Sequence, residues 1–181
     1  AKEWNIRIKG LSFHVGSQTT NPQKYVDAIG ACASLMQQVV EAGLPALSTL
    51  DIGGGFPVRY NTDVMNIEQF CQPINAALNQ LPDPVQVLAE PGRFIVAPAM
   101  TSVASIMGSA EREGQIWYYL DDGIYGSFSG LIFDDAKYPL HTLKQDGEQY
   151  ASVLSGPTCD RIDVIAEKLN PPKQGKRDTD Y

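Results

Sequence analysis

The sequence contains few basic residues, few histidines and few cysteines. Lys and Arg total 14 against 21 Asp and Glu, so the formal net charge is −7. Because a protein that follows a nucleic-acid backbone needs clustered cations, this balance predicts no nucleic-acid partner. The 3 cysteines are odd in number and widely spaced, which argues against a disulfide framework and favours a reducing cytoplasm. With 2 separated histidines and no Cys-x-x-Cys pair, we expect no metal site.

Long hydrophobic runs are also absent. The most apolar stretch, residues 94–107, is interrupted by one proline and three hydroxyl side chains, whereas a membrane span needs about 20 apolar residues. We therefore expect no association with a membrane. The first residues have neither a starting methionine nor the layout of a signal peptide, so we expect an internal piece of a larger protein. The 181 residues, 43% of them apolar, suffice for one globular core.

The first hundred residues alternate between strand and helix patterns. Apolar runs at residues 6–15, 47–52 and 85–89 predict buried strands. Apolar residues at helical spacing predict one helix from residue 22 to the glycine at 43, and another over residues 67–81. This order is typical of parallel β/α units, whose helices cover both faces of a sheet.

The remaining residues follow a different pattern, rich in Ser, Thr, Gly and aromatic side chains. Strands are predicted near residues 100–107, 115–120 and 150–155, and a short helix within residues 160–169. The tail from residue 171 is polar and has no apolar period, so we expect it to be loose. We therefore predict two domains, an α/β domain over residues 1–99 and a mostly β domain over residues 100–181.

Three unusual clusters lie at the carboxyl ends of the three predicted strands, at residues 14–18, 51–57 and 90–93. Because ligands of parallel sheets gather at the carboxyl ends of the strands, this coincidence indicates a binding site. The glycine run at residues 53–55 allows backbone N–H groups to approach an anion such as phosphate, although a tight turn explains it equally well. It is neither a Rossmann nor a Walker pattern.

Glu90 and Arg93 hold opposite charges apart across a Pro-Gly turn. A cofactor with a cationic ring nitrogen and a phosphate, such as pyridoxal phosphate, matches this separation, and a local ion pair is the alternative interpretation. His14 ends an apolar strand, where its ring either packs in the core or stacks on a planar cofactor. Ser17, just beyond it, is placed to donate a hydrogen bond to a phosphate.

A thiol and several acids occur in the second half of the chain. Cys159 follows a Gly-Pro turn, and a thiol with a pKa of about 8.5 can give a proton to a carbanionic carbon. A passive, small apolar side chain is the alternative for this residue. Asp134, Asp135 and Asp160 form either an acidic pocket for the cationic end of a substrate or a solvated loop.

Five segments together resemble the fold-type III pyridoxal-phosphate decarboxylases, the family of ornithine, diaminopimelate and arginine decarboxylases, with ornithine decarboxylase the most similar. In chain order the segments are SFHVGS at residues 12–17, LDIGGGFP at 50–57, AEPGR at 89–93, DGIYGSF at 122–128 and GPTCD at 156–160. Because all five occur in the order of the family, the chain is identified as a member.

The resemblance implies part of a (β/α)8 barrel of the TIM type that binds pyridoxal 5′-phosphate, followed by a mostly β domain, in a homodimer with shared active sites. His14 would stack on the pyridine ring, and Glu90 would pair with the ring nitrogen. The other cofactor-binding residues implied are Ser17, Gly54, Gly55, Pro91, Gly92 and Arg93, with Ser17, Gly55, Gly92 and Arg93 at the phosphate.

The resemblance also implies the reaction. Cys159 of the partner subunit would protonate the α-carbon after carbon dioxide leaves, and Phe133, Asp134 and Asp160 would bind the substrate. Two carboxylates favour a terminal ammonium, so we expect L-ornithine to be converted to putrescine for polyamine synthesis, with lysine and cadaverine open. A non-catalytic relative such as an antizyme inhibitor is the other possibility. The family's Schiff-base lysine lies upstream of these motifs and no lysine here matches it, so we expect these residues alone to be inactive.

Overall fold

The structure is a computed structural model that describes residues 4–60, 62–82, 84–134, 136–144 and 146–174. The chain divides into two units, Ala1–Met100 and Thr101–Tyr181, and each is described by itself. The domain boundary expected from the sequence lies one residue from this division.

The first unit contains a parallel sheet with strand order β1-β2-β3, formed by Gly10–Ser12 (β1), Thr49–Asp51 (β2) and Gln86–Leu88 (β3). All three strands were predicted, but each is shorter than its apolar run. Backbone pairing continues just beyond them, from Ile52 N to Leu88 O (2.9 Å) and from Glu90 N to Gly53 O (2.8 Å). The segments that follow the three strands are therefore still joined by backbone hydrogen bonds. The three loops begin at the same edge of the sheet.

Two helices pack against this sheet, Gln23–Glu41 (α1) and Ile67–Leu78 (α2). Helix α1 ends before Gly43, which adopts a positive φ of 69° as expected of a glycine that stops a helix. The Asn66 side chain accepts a hydrogen bond from Glu68 N (2.8 Å) at the start of α2. The buried core consists of Tyr25, Ile29, Met36, Leu50, Ile52, Phe56, Phe70 and Ile74.

A short helix that the sequence did not predict, Gly92–Val96 (α3), follows the third strand and leads into a 3-10 turn at Ala97–Ala99. It begins inside the cluster at residues 90–93, so the last two residues of this cluster, Gly92 and Arg93, are helical. Within the described ranges, no helix combines the length and apolar character that crossing a bilayer requires.

The second unit is a four-stranded sheet in the order of the chain, with Ile106–Arg112 (β4), Gln115–Leu120 (β5), Ser152–Ser155 (β6) and Val164–Leu169 (β7). Strands β5 and β6 are parallel, and the other two pairs are antiparallel. The long connection from β5 to β6 contains a short helix, Gly130–Phe133 (α4). Glu113 and Gly114 both have positive φ and join β4 to β5 in a two-residue hairpin turn.

Three predictions for the second unit need correction. The helix expected within residues 160–169 is wrong, because Val164–Leu169 pairs with β6 and satisfies its otherwise open edge. The strand expected at residues 100–107 begins only at Ile106. The tail is not loose over residues 171–174, since Tyr150 N donates to Pro171 O (3.1 Å) and Gln174 N to the Tyr118 hydroxyl (2.9 Å). Residues 175–181 lie outside the described residues.

Candidate cofactor site and the Cys159 loop

The loops after β1, β2 and β3 line one cavity of about 260 Å³, called here the cofactor cavity. Its lining contains all eight residues of the first unit that the sequence singled out: His14, Ser17, Gly54, Gly55, Glu90, Pro91, Gly92 and Arg93. Gln18 and Phe56 line it as well; both belong to the predicted clusters, although the sequence assigned neither a role. Phe94 also lines it and was not predicted, and its one signal was that it directly follows Arg93.

The glycine run after β2 lets the neighbouring loops approach unusually closely. A Cβ atom on Gly53 would collide with the backbone oxygen of Phe13, one on Gly54 with that of Glu90, and one on Gly55 with that of Gly16. These positions have no room for a side chain, because the loops after β1 and β3 pack directly on the run. The glycines therefore bring His14 and Glu90 to the same cavity.

Tyr25 of α1 fixes the glycine run from behind. Its hydroxyl donates to Gly54 O (2.7 Å), its side chain is fully buried, and its ring stacks on Phe56 with centroids 5.2 Å apart. Burial, with a smaller contribution from Cys71, raises the pKa of Tyr25 to about 12. The hydroxyl is therefore a donor at neutral pH. Tyr25 is one of the residues at helical spacing that predicted α1, but the sequence gave no sign of this hydrogen bond.

The cavity fits a single-ring cofactor that carries a phosphate. Its volume lies just below the roughly 300 Å³ at which pockets for drug-sized ligands begin. His14 Cε1 lies 3.9 Å from where a Cβ on Gly54 would be, so the imidazole lies beside the glycine run. The lining combines one carboxylate, Glu90, with one guanidinium, Arg93, and with glycines, which have no Cβ atom to shield the backbone from a ligand. This donor set suits a protonated ring nitrogen and a phosphate.

In the second unit, two loops line a smaller pocket of about 220 Å³. They are the Tyr125 loop, residues 121–127, and the Cys159 loop, residues 156–163. The pocket is lined by Asp121, Asp122, Gly123, Tyr125, Gly126, Pro157, Thr158 and Asp163. Cys159 lies in the second of these loops and has an exposed, free thiol.

One hydrogen bond joins the exposed ends of these two loops, from the Tyr125 hydroxyl to Asp160 Oδ2 (2.5 Å). This bond lowers the pKa of Asp160, assisted by the Ile162 backbone N–H, and it raises the pKa of Tyr125. Asp160 is therefore a carboxylate over the whole neutral range and is suited to a cationic ligand.

The structure leaves the predicted substrate residues in separate places. Phe133 is 80% exposed at the end of α4, and Asp134 follows it, with its backbone N–H donating to Gly130 O (3.0 Å). Neither residue belongs to the pocket between the Tyr125 and Cys159 loops. Asp135 lies outside the described residues. The shared role of Phe133, Asp134 and Asp160 stays a prediction, as does that of Cys159.

Asp163 is the main functional candidate that the sequence did not indicate. It is fully buried between the two loops, yet it falls within the segment that was expected to be helical. Of the two glycines that face it, Gly156 lies 7 residues away in sequence and Gly123 lies 40 away. The parallel pairing of β5 with β6 and the antiparallel pairing of β6 with β7 bring these positions together.

Comparison with known proteins identifies the family. Residues 1–97 match the model of the pyridoxal-binding domain of pyridoxal-dependent decarboxylases. The chain belongs to this decarboxylase family. Its fold is therefore part of the α/β barrel of these proteins followed by a mostly β domain, as the resemblance implied, and its cofactor is pyridoxal 5′-phosphate.

Individual relatives extend over nearly the whole chain. A solved lysine/ornithine decarboxylase complexed with cadaverine, from Vibrio vulnificus, is 76% identical with a TM-score of 0.86, and the match covers 96% of this chain and 47% of that one. An ornithine decarboxylase from Cricetulus griseus is 39% identical and an antizyme inhibitor 2 from Xenopus laevis 37%, each over 96% of this chain and 41% of the relative. The chain thus spans less than half the length of these relatives.

Proposed function

We propose that the complete polypeptide is a pyridoxal-phosphate-dependent decarboxylase of basic amino acids, which converts L-ornithine to putrescine and also accepts L-lysine, giving cadaverine. The observation that carries this proposal is the cofactor cavity, where Glu90, Arg93 and His14 meet on the glycine run. The 76% identity to a protein described as a lysine/ornithine decarboxylase supports the choice of substrates.

Four side chains of the cavity and its glycines have roles that follow from their chemistry. When bound, the cofactor supplies an electron sink for the charge left on the α-carbon when carbon dioxide departs. Glu90 holds the proton on the ring nitrogen through its negative charge. Arg93 and the glycine amides bind the phosphate, with Ser17 as a further donor. His14 covers a face of the ring and restricts its orientation.

The second unit supplies the proton and recognises the distal end of the substrate. Cys159 is exposed, so another molecule can reach its thiol, and it delivers its proton to the α-carbon. Asp160, held as a carboxylate, binds the terminal ammonium together with Asp134, and Phe133 packs on the aliphatic chain. By analogy with the family, these residues act on the cofactor site of a partner subunit in a homodimer. The reduced thiol also favours a cytoplasmic location.

The two proposed substrates differ by one methylene group. A pocket distinguishes two substrates that differ by one methylene by only about 1–3 kcal/mol of binding free energy. The distal ammonium matters more, because without it the two carboxylates of the pocket have no cationic partner. A pocket selected by Asp134 and Asp160 therefore accepts both amino acids, with a preference of at most about 200-fold. The second carboxylate of diaminopimelate meets no matching cation in this proposal.

A non-catalytic role is the alternative, since one relative is described as an antizyme inhibitor. The presence of Cys159 together with Glu90 and Arg93 favours the enzyme. One residue distinguishes the two interpretations. A lysine that binds the cofactor aldehyde, in the part of the polypeptide that precedes these residues, supports the enzyme, and its absence supports the non-catalytic role.

The test is to measure carbon dioxide release from ornithine, lysine and arginine by the complete polypeptide with pyridoxal phosphate. Glu90→Gln should lower kcat by about 100-fold, since it removes the charge that keeps the ring nitrogen protonated. Glu68→Gln, at the exposed start of α2, is the matched control and should leave kcat unchanged. If the cofactor binds but no basic amino acid releases carbon dioxide, the enzymatic proposal is wrong.

A further inference from the structure

Asp163 is a fully buried carboxylate that has no part in the proposed chemistry. Its Oδ1 accepts a hydrogen bond from Ile124 N (2.9 Å), in the Tyr125 loop. Its Oδ2 accepts from Thr158 N (3.0 Å) and from Thr158 Oγ1 (2.6 Å), in the Cys159 loop. A single side chain therefore holds the two loops together.

The backbone of Asp163 also closes the base of the Cys159 loop. Gly156 N and the Ser155 hydroxyl both donate to Asp163 O, each at 2.8 Å. Asp163 N in turn donates to Asp160 O at 3.0 Å. The eight residues from 156 to 163 thus begin and end at the same point, and the Cys159 thiol lies on a closed loop.

Two glycines show that both loops are built around this carboxylate. A Cβ atom on Gly123 or on Gly156 would collide with the carboxylate oxygens of Asp163. Any other residue at these positions would push a loop away from the carboxylate. The close approach from both sides leaves the side chain no alternative position.

The bonds from Asp163 fall directly beside functional positions. Ile124 immediately precedes Tyr125, and Thr158 immediately precedes Cys159. The bond between Tyr125 and Asp160 then joins the same two loops a second time, at their exposed ends. Resting on the proposed function, we propose that Asp163 is a positioning residue that holds Cys159 and Asp160 where the proton is delivered and the substrate ammonium is bound.

The charge of Asp163 is part of this arrangement. Burial raises the pKa of its carboxyl group, but the hydrogen bonds from Thr158 and Ile124 outweigh burial and bring the pKa below its usual range. Each oxygen of the carboxylate accepts hydrogen bonds from one of the two loops. An asparagine has the same size but presents an NH2 group to one set of donors, so it opposes either Thr158 or Ile124.

The test compares Asp163→Asn with Glu167→Gln, an exposed change on β7, the strand that directly follows Asp163, in the complete polypeptide. The first readout is the ratio of diamine formed to carbon dioxide released, because a displaced Cys159 fails to protonate the α-carbon after decarboxylation. Asp163→Asn should lower this ratio by about tenfold, and Glu167→Gln should leave it unchanged. A ratio that stays at its original value in Asp163→Asn, with kcat or stability alone reduced, would overturn the proposal.

The second readout does not depend on catalysis. Iodoacetamide modifies Cys159, and peptide mass spectrometry measures the rate, with the half-buried Cys32 and Cys71 as internal references. Asp163→Asn should change the rate at Cys159 by about threefold or more and leave the references alone. If the unaltered polypeptide releases no carbon dioxide, the proposed function fails, and the rate of Cys159 modification alone decides the role of Asp163. The same modification rate in Asp163→Asn as in the unaltered polypeptide contradicts the positioning role.

A milder variant covers the case in which Asp163→Asn does not fold. Thr158→Val removes one of the three hydrogen bonds to the carboxylate and keeps the shape of the side chain. It should shift both readouts in the same direction as Asp163→Asn, by a smaller factor, and Thr158→Ser, which keeps the hydroxyl, should restore them. If Thr158→Val and Thr158→Ser behave alike, the carboxylate does not position the loop through Thr158.

Discussion

The two units of the chain assemble their candidate sites in opposite ways. In the first unit, backbone groups converge on a glycine run, and a neutral hydroxyl, that of Tyr25, fixes the run from behind. In the second unit, one buried carboxylate, Asp163, gathers N–H and O–H donors from two loops. Closely packed glycines serve both sites, but only the second is organised by a buried charge, so the two should respond differently to lost charge.

The largest effect is expected from added volume in the first unit. Gly54→Val places a side chain against the backbone oxygen of Glu90 and should destabilise the protein by about 3 kcal/mol while abolishing cofactor binding. The midpoint of urea unfolding and the absorbance of bound cofactor measure the two effects. Gly30→Ala is the control, since nothing lies within 4 Å of its added Cβ and alanine favours the helix. Equal midpoints for the two variants would contradict close packing at the run.

Loss of charge in the second unit should come next. Asp163→Asn leaves buried donors without an acceptor and should cost about 2 kcal/mol at neutral pH. Because the folded pKa of Asp163 lies below the unfolded value of about 3.9, its stabilisation is complete above that value and disappears as the pH falls through the folded pKa. The difference in stability between the variant and the original protein should therefore shrink on acidification. A difference that is constant from neutral to acid pH would show that the charge plays no part.

A smaller effect is expected for the hydroxyl behind the glycine run. Tyr25→Phe leaves the buried Gly54 carbonyl without its donor and should cost about 1 kcal/mol, with a weaker affinity for the cofactor. Tyr60→Phe, at a half-exposed tyrosine, is the matched control. Fluorescence titration with pyridoxal phosphate measures the affinity. The account of the run is wrong if both variants bind the cofactor as tightly as the original protein.

The smallest effect on stability is expected at the exposed bond between the loops. Tyr125→Phe removes the hydroxyl that donates to Asp160, and solvent replaces it, so the unfolding midpoint should not change measurably. The pKa of Asp160 should rise toward its ordinary value, and KM for ornithine should increase more than kcat falls. Steady-state kinetics separate the two parameters, and an unchanged KM would show that the hydrogen bond from Tyr125 does not prepare Asp160 for the substrate.

The same contrast explains what the sequence revealed. Residues of the first site follow their strands directly, and parallel strands bring their carboxyl ends to one edge, so chain order was enough to group His14, the glycines and Glu90. Asp163 depends instead on two strand pairings, because β6 must pair with β7 and also with β5 before Ile124, 39 positions away, can reach it. The short apolar run after Asp163 fits a helix or a strand equally well, and only the pairing of β6 with β7 decides between them.

The interaction of Glu90 with the cofactor ring is the central claim, and the protonation state of the ring nitrogen tests it most directly. Nitrogen NMR of the complete polypeptide with 15N-labelled pyridoxal phosphate, at slightly alkaline pH, distinguishes the two states. The account predicts a protonated ring nitrogen in the original protein and in Glu68→Gln, and an unprotonated one in Glu90→Gln. The same nitrogen shift in all three proteins would contradict it.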